Sequence, residues 1–477
     1  MRVVLADLKG RNGFVNKDTV VGGFGSRFRG FSATTRIIEA VRKLYQNLPS
    51  IHVGYLASIF AQAGHDVRVT NSEIVGGDLA LILSSLVDYR HEIEWSREFR
   101  QQCGKPIGFF GALATHMSDV LADHADFVIK GEPDHAAMRL AQGESLKGIV
   151  VSPAINDLDS LPFPRWDLVS RKRFGYSTGR SVRPARATFP LLSSRSCPEH
   201  CTYCPHRITA AYRSRSPENV LAEIESLCRK YGKVDFVLRD PLFTEERERS
   251  RAIAEGIIRK NLPVHFECET RLDNLDTDLI DFLHRAGLLA ITFGVESVDP
   301  AILKRVARRP IPTEHQKQIV NHCRKKGIST GGFYVIGFLT DTMESVRATI
   351  DYSIELNTTG ALYKILTPYP GTPLRKQMES LIVETDLEKF DGYTPTFRHP
   401  NLTHEQLLFL LRSAFARFYF RPSWLGNYLG VQNHVAQWMD QWDAYAQRRH
   451  SEMEMPFLMS LQSGGVPSTG FQQTTEA

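Results

Sequence analysis

No apolar run in this 477-residue chain approaches the ~20 residues a membrane-spanning helix needs. The N-terminus, Met1-Arg-Val-Val-Leu-Ala-Asp7, lacks the apolar core of a signal peptide, so the expected compartment is the cytoplasm. A disulfide framework is missing too. Seven cysteines is an odd number, and Cys103, Cys228, Cys268 and Cys323 are scattered through segments that read as helix or strand, the usage of a reducing compartment. No repeat of solenoid type is present, and no second Cys-x2-Cys or His-x3-His knuckle occurs. The formal charge is only +5, and part of the excess sits in Arg171-Lys-Arg173 with Arg180, Arg183 and Arg186. That stretch has none of the interleaved aromatics that base stacking requires, so nucleic acid is not an expected partner.

What is present fits an ordinary globular α/β protein of two or three domains, 42% hydrophobic and 23% charged. Residues 1–150 alternate short apolar strands (3–5, 67–70, 79–83, 107–110, 127–129) with amphipathic helices, one of them around 53–63. This rhythm predicts a doubly wound, Rossmann-like parallel sheet. Ligands of such sheets bind beyond the carboxyl ends of the strands, which places a working edge at Ser84 and Ser85, at Gly111 through Thr115, and at Gly131 and Glu132. Residues 151–186 read as a linker, with Leu161-Pro-Phe-Pro164 and the basic stretch. The βα rhythm restarts at 187 and runs to about 390, with strands expected at 188–192, 234–238, 264–268, 289–293, 332–336 and 362–366. Six units suggest an incomplete parallel barrel. Residues 391–450 read as helical, with Leu407, Leu410, Leu411, Ala414 and Phe418 on one face, and 451–477 as a disordered tail.

The densest chemistry is Ser196-Cys-Pro-Glu-His-Cys-Thr-Tyr-Cys-Pro-His206. Thiolates suit iron–sulfur clusters and zinc alike. Cys197, Cys201 and Cys204 hold three irons of a [4Fe–4S] cube in one reading; in the other, His200 or His206 completes a Cys3His zinc site in a binding protein. The loop follows the first barrel strand, and functional groups of parallel barrels gather at the carboxyl ends of strands. The other ends carry Arg239 and Asp240, Glu269 and Arg271, Glu296 and Ser297, Gly337, and Pro368-Tyr-Pro-Gly371.

These residues resemble the radical S-adenosylmethionine (SAM) superfamily. Cys-x3-Cys-x-aromatic-Cys is its cluster signature, Gly294-Val-Glu-Ser297 resembles its Gly-Val-Glu-Ser element, and Gly332-Phe-Tyr-Val-Ile-Gly-Phe338 with Asp341-Thr-Met-Glu344 resembles its fifth-strand stretch. The resemblance implies a [4Fe–4S] cluster on Cys197, Cys201 and Cys204. It also implies SAM near Glu296 and Ser297, with its adenine facing Ile336 and Gly337, and Asp240 as a partner for the SAM amine. Two departures stand out: Leu339-Thr340 replaces the usual Pro-Gly, and Pro241 replaces the second acid of an Asp-Asp pair.

The N-terminal half is similar to the cobalamin-binding domain of the B12-type subfamily, through Gly54-Tyr-Leu-Ala57, Ala63-Gly-His-Asp-Val67, Gly111-Ala-Leu-Ala-Thr115 and Asp126-Phe-Val-Ile-Lys-Gly-Glu132. That likeness implies cobalamin against Ser84, Gly111, Thr115 and Glu132, although no Asp-x-His-x-x-Gly supplies an axial histidine. The implied activity is methylation of an unactivated carbon in a small-molecule or lipid-like substrate. A cyclising or rearranging enzyme on the same domains is the alternative. Either needs an electron donor such as a flavodoxin, a ferredoxin or a reductase.

Overall fold

The structure is a computed structural model describing residues 1–10, 12–17, 20–45, 48–169, 187–434, 437–439, 441 and 444. Most of the expected linker's basic stretch and the whole expected tail lie outside the described residues.

The first sheet comprises β1 (Arg2–Ala6), β4 (Asp66–Thr70), β5 (Leu79–Ser84), β6 (Ile107–Gly111), β7 (Phe127–Gly131) and β8 (Gly148–Ser152), in the order β4-β1-β5-β6-β7-β8. Every neighbouring pair is parallel. Helices cover both faces, so the central strands are apolar throughout, and Val3, Val4, Leu5, Leu81 and Ile82 are fully buried. The expected helix is present as Ile51–Gln62, packed on β1 and β4. Between β1 and this helix lies an excursion that periodicity does not predict: an antiparallel hairpin of β2 (Phe14–Asn16) and β3 (Ser26–Phe28), then a helix over Ala33–Tyr45.

The second sheet contains β9 (Ala187–Leu191), β12 (Val234–Leu238), β13 (Val264–Glu269), β14 (Leu288–Glu296), β15 (Ser329–Ile336) and β16 (Gly360–Ile365), all parallel, in the order β16-β15-β14-β13-β12-β9. A small ladder of β10 (Ser194–Arg195) with β11 (Arg213–Ser214) brackets the cysteine loop. The outermost strands, β9 and β16, are not paired with each other, so the sheet is a half-barrel with an open seam. Local chemistry sets the helix starts. Ser216 Oγ accepts from Asn219 N ahead of Pro217, and capping boxes begin the helices Met343–Leu356 and His404–Tyr419.

Helix His404–Tyr419 buries its predicted face, Leu407, Leu410, Leu411, Ala414 and Phe418, in the barrel core. The Tyr419 hydroxyl accepts from Ala361 N at 3.0 Å and donates to Ala361 O at 2.8 Å, satisfying part of the free edge of β16. Trp424 Nε1 donates to Thr359 O beside it.

The two sheets are tied by a buried ion-pair cluster. Arg195 clamps Asp134 with bonds of 2.6 and 3.1 Å and reaches Glu132 at 3.2 Å, while Arg213 donates to the same Glu132 at 2.9 Å. Burial pushes the Asp134 carboxyl up, yet Arg195 outweighs it and holds the group below its usual range. Arg195→Met leaves Asp134 buried and uncompensated. It is expected to cost about 3–5 kcal/mol, read as a lowered urea midpoint.

Candidate active site

The cysteine loop is pinned from several sides. Thr202 N donates to Val306 O and Leu374 N to Thr202 O, both at 3.0 Å, and Tyr203 packs edge-on against Phe338. Ser196 sits at φ 70°, a left-handed conformation costly for a residue with a Cβ, and its hydroxyl donates to Ala210 O at 2.7 Å. Glu296, at the end of β14, is also left-handed, at φ 65°. Such strain persists only where the surroundings over-determine it.

Cys197, Cys201 and Cys204 are free thiols lining one cavity of about 670 Å3. Burial pushes the Cys197 thiol up to about 11 and raises the other two. Among the described residues no three His, Cys, Asp or Glu side chains are disposed around a single ion. A tetrahedral zinc needs its sulfurs roughly 3.8 Å apart. A cube takes each thiolate on a different iron.

Arg308 is the main charge beside the loop. Its Nη1 lies 3.9 Å from Cys201 Sγ, its Nη2 donates to Gly294 O, and Nη2 is 3.8 Å from Glu296 Oε1. Burial raises the Glu296 carboxyl against the pull of Arg308. Glu269 lines the same cavity and is pushed up by burial to about 7. Arg271 lines it as well, held by Asp273 at 2.8 and 2.9 Å. The cavity continues down the barrel past Gly331 of β15 and Leu362 of β16.

The structure thus brings the three cysteines together with Glu296, Glu269, Arg271 and Arg239. It does not bring every expected residue to the cavity wall. The Asp240 carboxylate accepts from Ser193 N and Ser193 Oγ at 3.0 and 2.8 Å and from Ser194 Oγ, clamping the turn after β9. Ser297 Oγ accepts from Asp299 N. Ile336 is core, its carbonyl taken by Leu366 N. Gly337 N donates to Asp341 Oδ2 at 2.9 Å. Arg308 and Lys364 were not singled out by spacing.

Residues 191–353 match the sequence profile of the radical SAM superfamily. Residues 191–353 thus form a radical SAM domain. An uncharacterised methyltransferase of Pyrococcus horikoshii is 27% identical over 322 residues, 62% of this chain and 68% of that protein. The anaerobic magnesium-protoporphyrin IX monomethyl ester cyclase of Cereibacter sphaeroides is 26% identical over 309 residues, 64% of this chain but only 49% of the cyclase. The radical SAM methyltransferase TsrM of Kitasatospora setae, solved with cobalamin and a [4Fe–4S] cluster, superposes with a TM-score of 0.60 at 15% identity, covering 92% of this chain and 99% of TsrM. OxsB, a radical SAM enzyme solved with aqua-cobalamin and SAM, gives 0.58 at 11% identity over 96% of this chain and 81% of OxsB. These likenesses establish a shared two-domain fold. Among the described residues no helix is long and apolar enough to cross a membrane.

The radical SAM domain implies a [4Fe–4S] cluster and SAM, and the residues present fit both. Three free thiols face one cavity, with a guanidinium beside them to offset anionic charge and an adjacent carboxylate, Glu296, suited to an ammonium. The edge of the first sheet is different. Ser84 Oγ donates to Phe110 O and accepts from Ala114 N, Thr115 Oγ1 donates to Gly111 O, and Glu132 is committed to Arg195 and Arg213.

Residues 22–25, Gly-Gly-Phe-Gly, are wedged over this edge. A Cβ on Gly25 would lie 2.9 Å from Val87 Cγ2, and one on Gly22 would lie 2.8 Å from Pro205 O, beside the cysteine loop. Phe24 is fully buried, stacked on Tyr369 and against His116, and its carbonyl accepts from Leu86 N. As folded here, residues 22–25 cover this edge, and a corrin reaches it only when they move aside.

Proposed function

We propose that this radical SAM enzyme takes a hydrogen atom from an unactivated carbon of a small-molecule substrate held in the barrel. The observation that carries this reading is a strained, pinned loop presenting three free thiols to a deep cavity at the carboxyl end of a half-barrel. When bound, the cluster supplies the electron that splits SAM into methionine and a 5′-deoxyadenosyl radical. The chain's own residues position and enclose. Glu296 receives the SAM ammonium, Arg308 offsets the anionic charge beside Cys201, and the apolar barrel wall excludes water from the reacting carbon.

Methyl transfer, with cobalamin as the implied cofactor, is the outcome supported by the names of the Pyrococcus and Kitasatospora proteins. Ring formation or rearrangement without methylation is favoured by the filled edge of the first sheet and by the cyclase. After anaerobic reconstitution the protein is expected to hold about four iron per chain. With dithionite, or with a flavodoxin or ferredoxin system, it is expected to release 5′-deoxyadenosine. A fully loaded cluster that yields no 5′-deoxyadenosine refutes the proposal. A product heavier than its precursor by one CH2 unit establishes methylation, and an unchanged or dehydrogenated skeleton excludes it.

A further inference from the structure

The seam of the half-barrel is not plugged by another strand. The cavity is flanked by two helical banks outside the strands: the helix Ala33–Tyr45, which contributes Ile37, Ile38 and Val41 to its wall, and the helical residues 422–434, which contribute Trp424 and Tyr428. Both banks are amphipathic in an unusual sense. Ile37 and Val41, four residues apart on one face, line the cavity and are still 64% and 37% exposed. Leu425 and Leu429, each one position beyond a cavity-lining aromatic, are 52% and 51% exposed. Large aliphatic side chains thus continue from the cavity wall onto the outer surface at Ile37 and Val41, and exposed leucines border it at 425 and 429.

Inside, charge is arranged unevenly. Arg271 is matched by Asp273, and Arg308 lies near Glu296. Lys364, on the inner face of β16, has no carboxylate within 4 Å among the described residues; its ammonium sits 6.0 Å from the centre of the Tyr393 ring and faces the cavity. Burial presses this lysine down to about 8, so near neutral pH it still carries a charge that lacks a close counter-ion.

We propose that the substrate is an amphiphile with an elongated hydrocarbon body and one anionic group, the anion held by Lys364 and the body leaving past the exposed aliphatic face of the helix Ala33–Tyr45. This rests on the cavity being the substrate chamber of the radical SAM reaction. An aliphatic portal suits a chain that stays partly outside the barrel. Lys364, with the Arg42 guanidinium on the same cavity wall, suits a carboxylate or a phosphate monoester.

The test uses reconstituted full-length protein with SAM saturating, so that SAM subsites are filled, and two probes: 11-(dansylamino)undecanoic acid and its methyl ester. Dansyl emission is expected to show the acid bound at least tenfold more tightly than the ester. Lys364→Met should remove that difference while leaving ester affinity in place. Ile37→Asp, at an exposed position where folding is little disturbed, should weaken both probes. Equal affinity for acid and ester in the unmodified protein overturns the role of Lys364. So does a Lys364→Met variant that loses SAM in equilibrium dialysis while keeping its preference for the acid, since the lysine then belongs to SAM. Failure of both probes to bind overturns the portal. Release of 5′-deoxyadenosine from SAM alone, measured on the same preparation, reports separately on the radical SAM reading.

Discussion

Changing any one of Cys197, Cys201 or Cys204 to Ala is expected to lower 5′-deoxyadenosine formation by at least about a thousandfold, the scale on which loss of one member of a unit acting together is felt. Labile iron should fall from about four per chain to below about one after desalting. Each thiol lines the cavity as a free cysteine, and among the described residues no fourth cysteine lies on that loop to take its place. The fold itself should survive. The loop is held by Thr202, Leu374 and the Ser196 hydroxyl rather than by its sulfurs, so far-UV dichroism and the urea midpoint should move by no more than about 1 kcal/mol equivalent. Were the loop a zinc site instead, the unmodified protein would carry about one zinc without labile sulfide, and the three variants would unfold as they lost it. Metal and sulfide analysis of four proteins therefore separates a reaction centre from a structural knuckle.

How much of this was legible in advance follows from what periodicity encodes. Parallel strands buried on both faces read as continuous apolar runs, which is why 79–83 and 234–238 were placed within a residue of β5 and β12. The expected β15 begins three residues late, because Gly331 ahead of it looks like a break until the neighbouring strands are seen to carry it. The excursion holding β2, β3 and the helix Ala33–Tyr45 was missed. Its Gly-Gly-Phe-Gly sequence reads as loop, and its order comes from packing against residues 85–87 and the cysteine loop, far away in sequence.

The site divides in the same way. Spacing identified the three cysteines, and the strand-end rule identified Glu269, Arg271 and Glu296. Arg308 lies beyond a short helix, Pro300–Arg305, where no spacing rule points. Lys364 shares a face with Leu362 and alternates with the buried Tyr363 and Ile365, as on any half-exposed strand; only the curl of the sheet turns that face inward. Asp240 shows the limit from the other side. Sequence places it at the correct end of its strand but does not say that Ser193 and Ser194 take up its oxygens.

Phe24→Ala is expected to raise the affinity of the protein for hydroxocobalamin by about tenfold or more. The apparent affinity of a site scales with the fraction of molecules in which it is open. In this fold the edge of the first sheet is closed by residues 22–25, and Phe24 supplies the buried area that holds them there, against Tyr369 on one side and His116 on the other. Removing a buried phenyl ring typically costs about 3–5 kcal/mol. If even a third of that falls on the closed position of the segment, the open fraction rises by the ~1.4 kcal/mol that corresponds to a factor of ten. The absorption spectrum after desalting is the readout: little cobalamin retained by the unmodified protein, and a retained corrin band in the variant. Stoichiometric uptake by the unmodified protein with no gain from Phe24→Ala would mean that the wedge and the corrin do not compete for one place, and that cobalamin enters by a route other than the sheet edge.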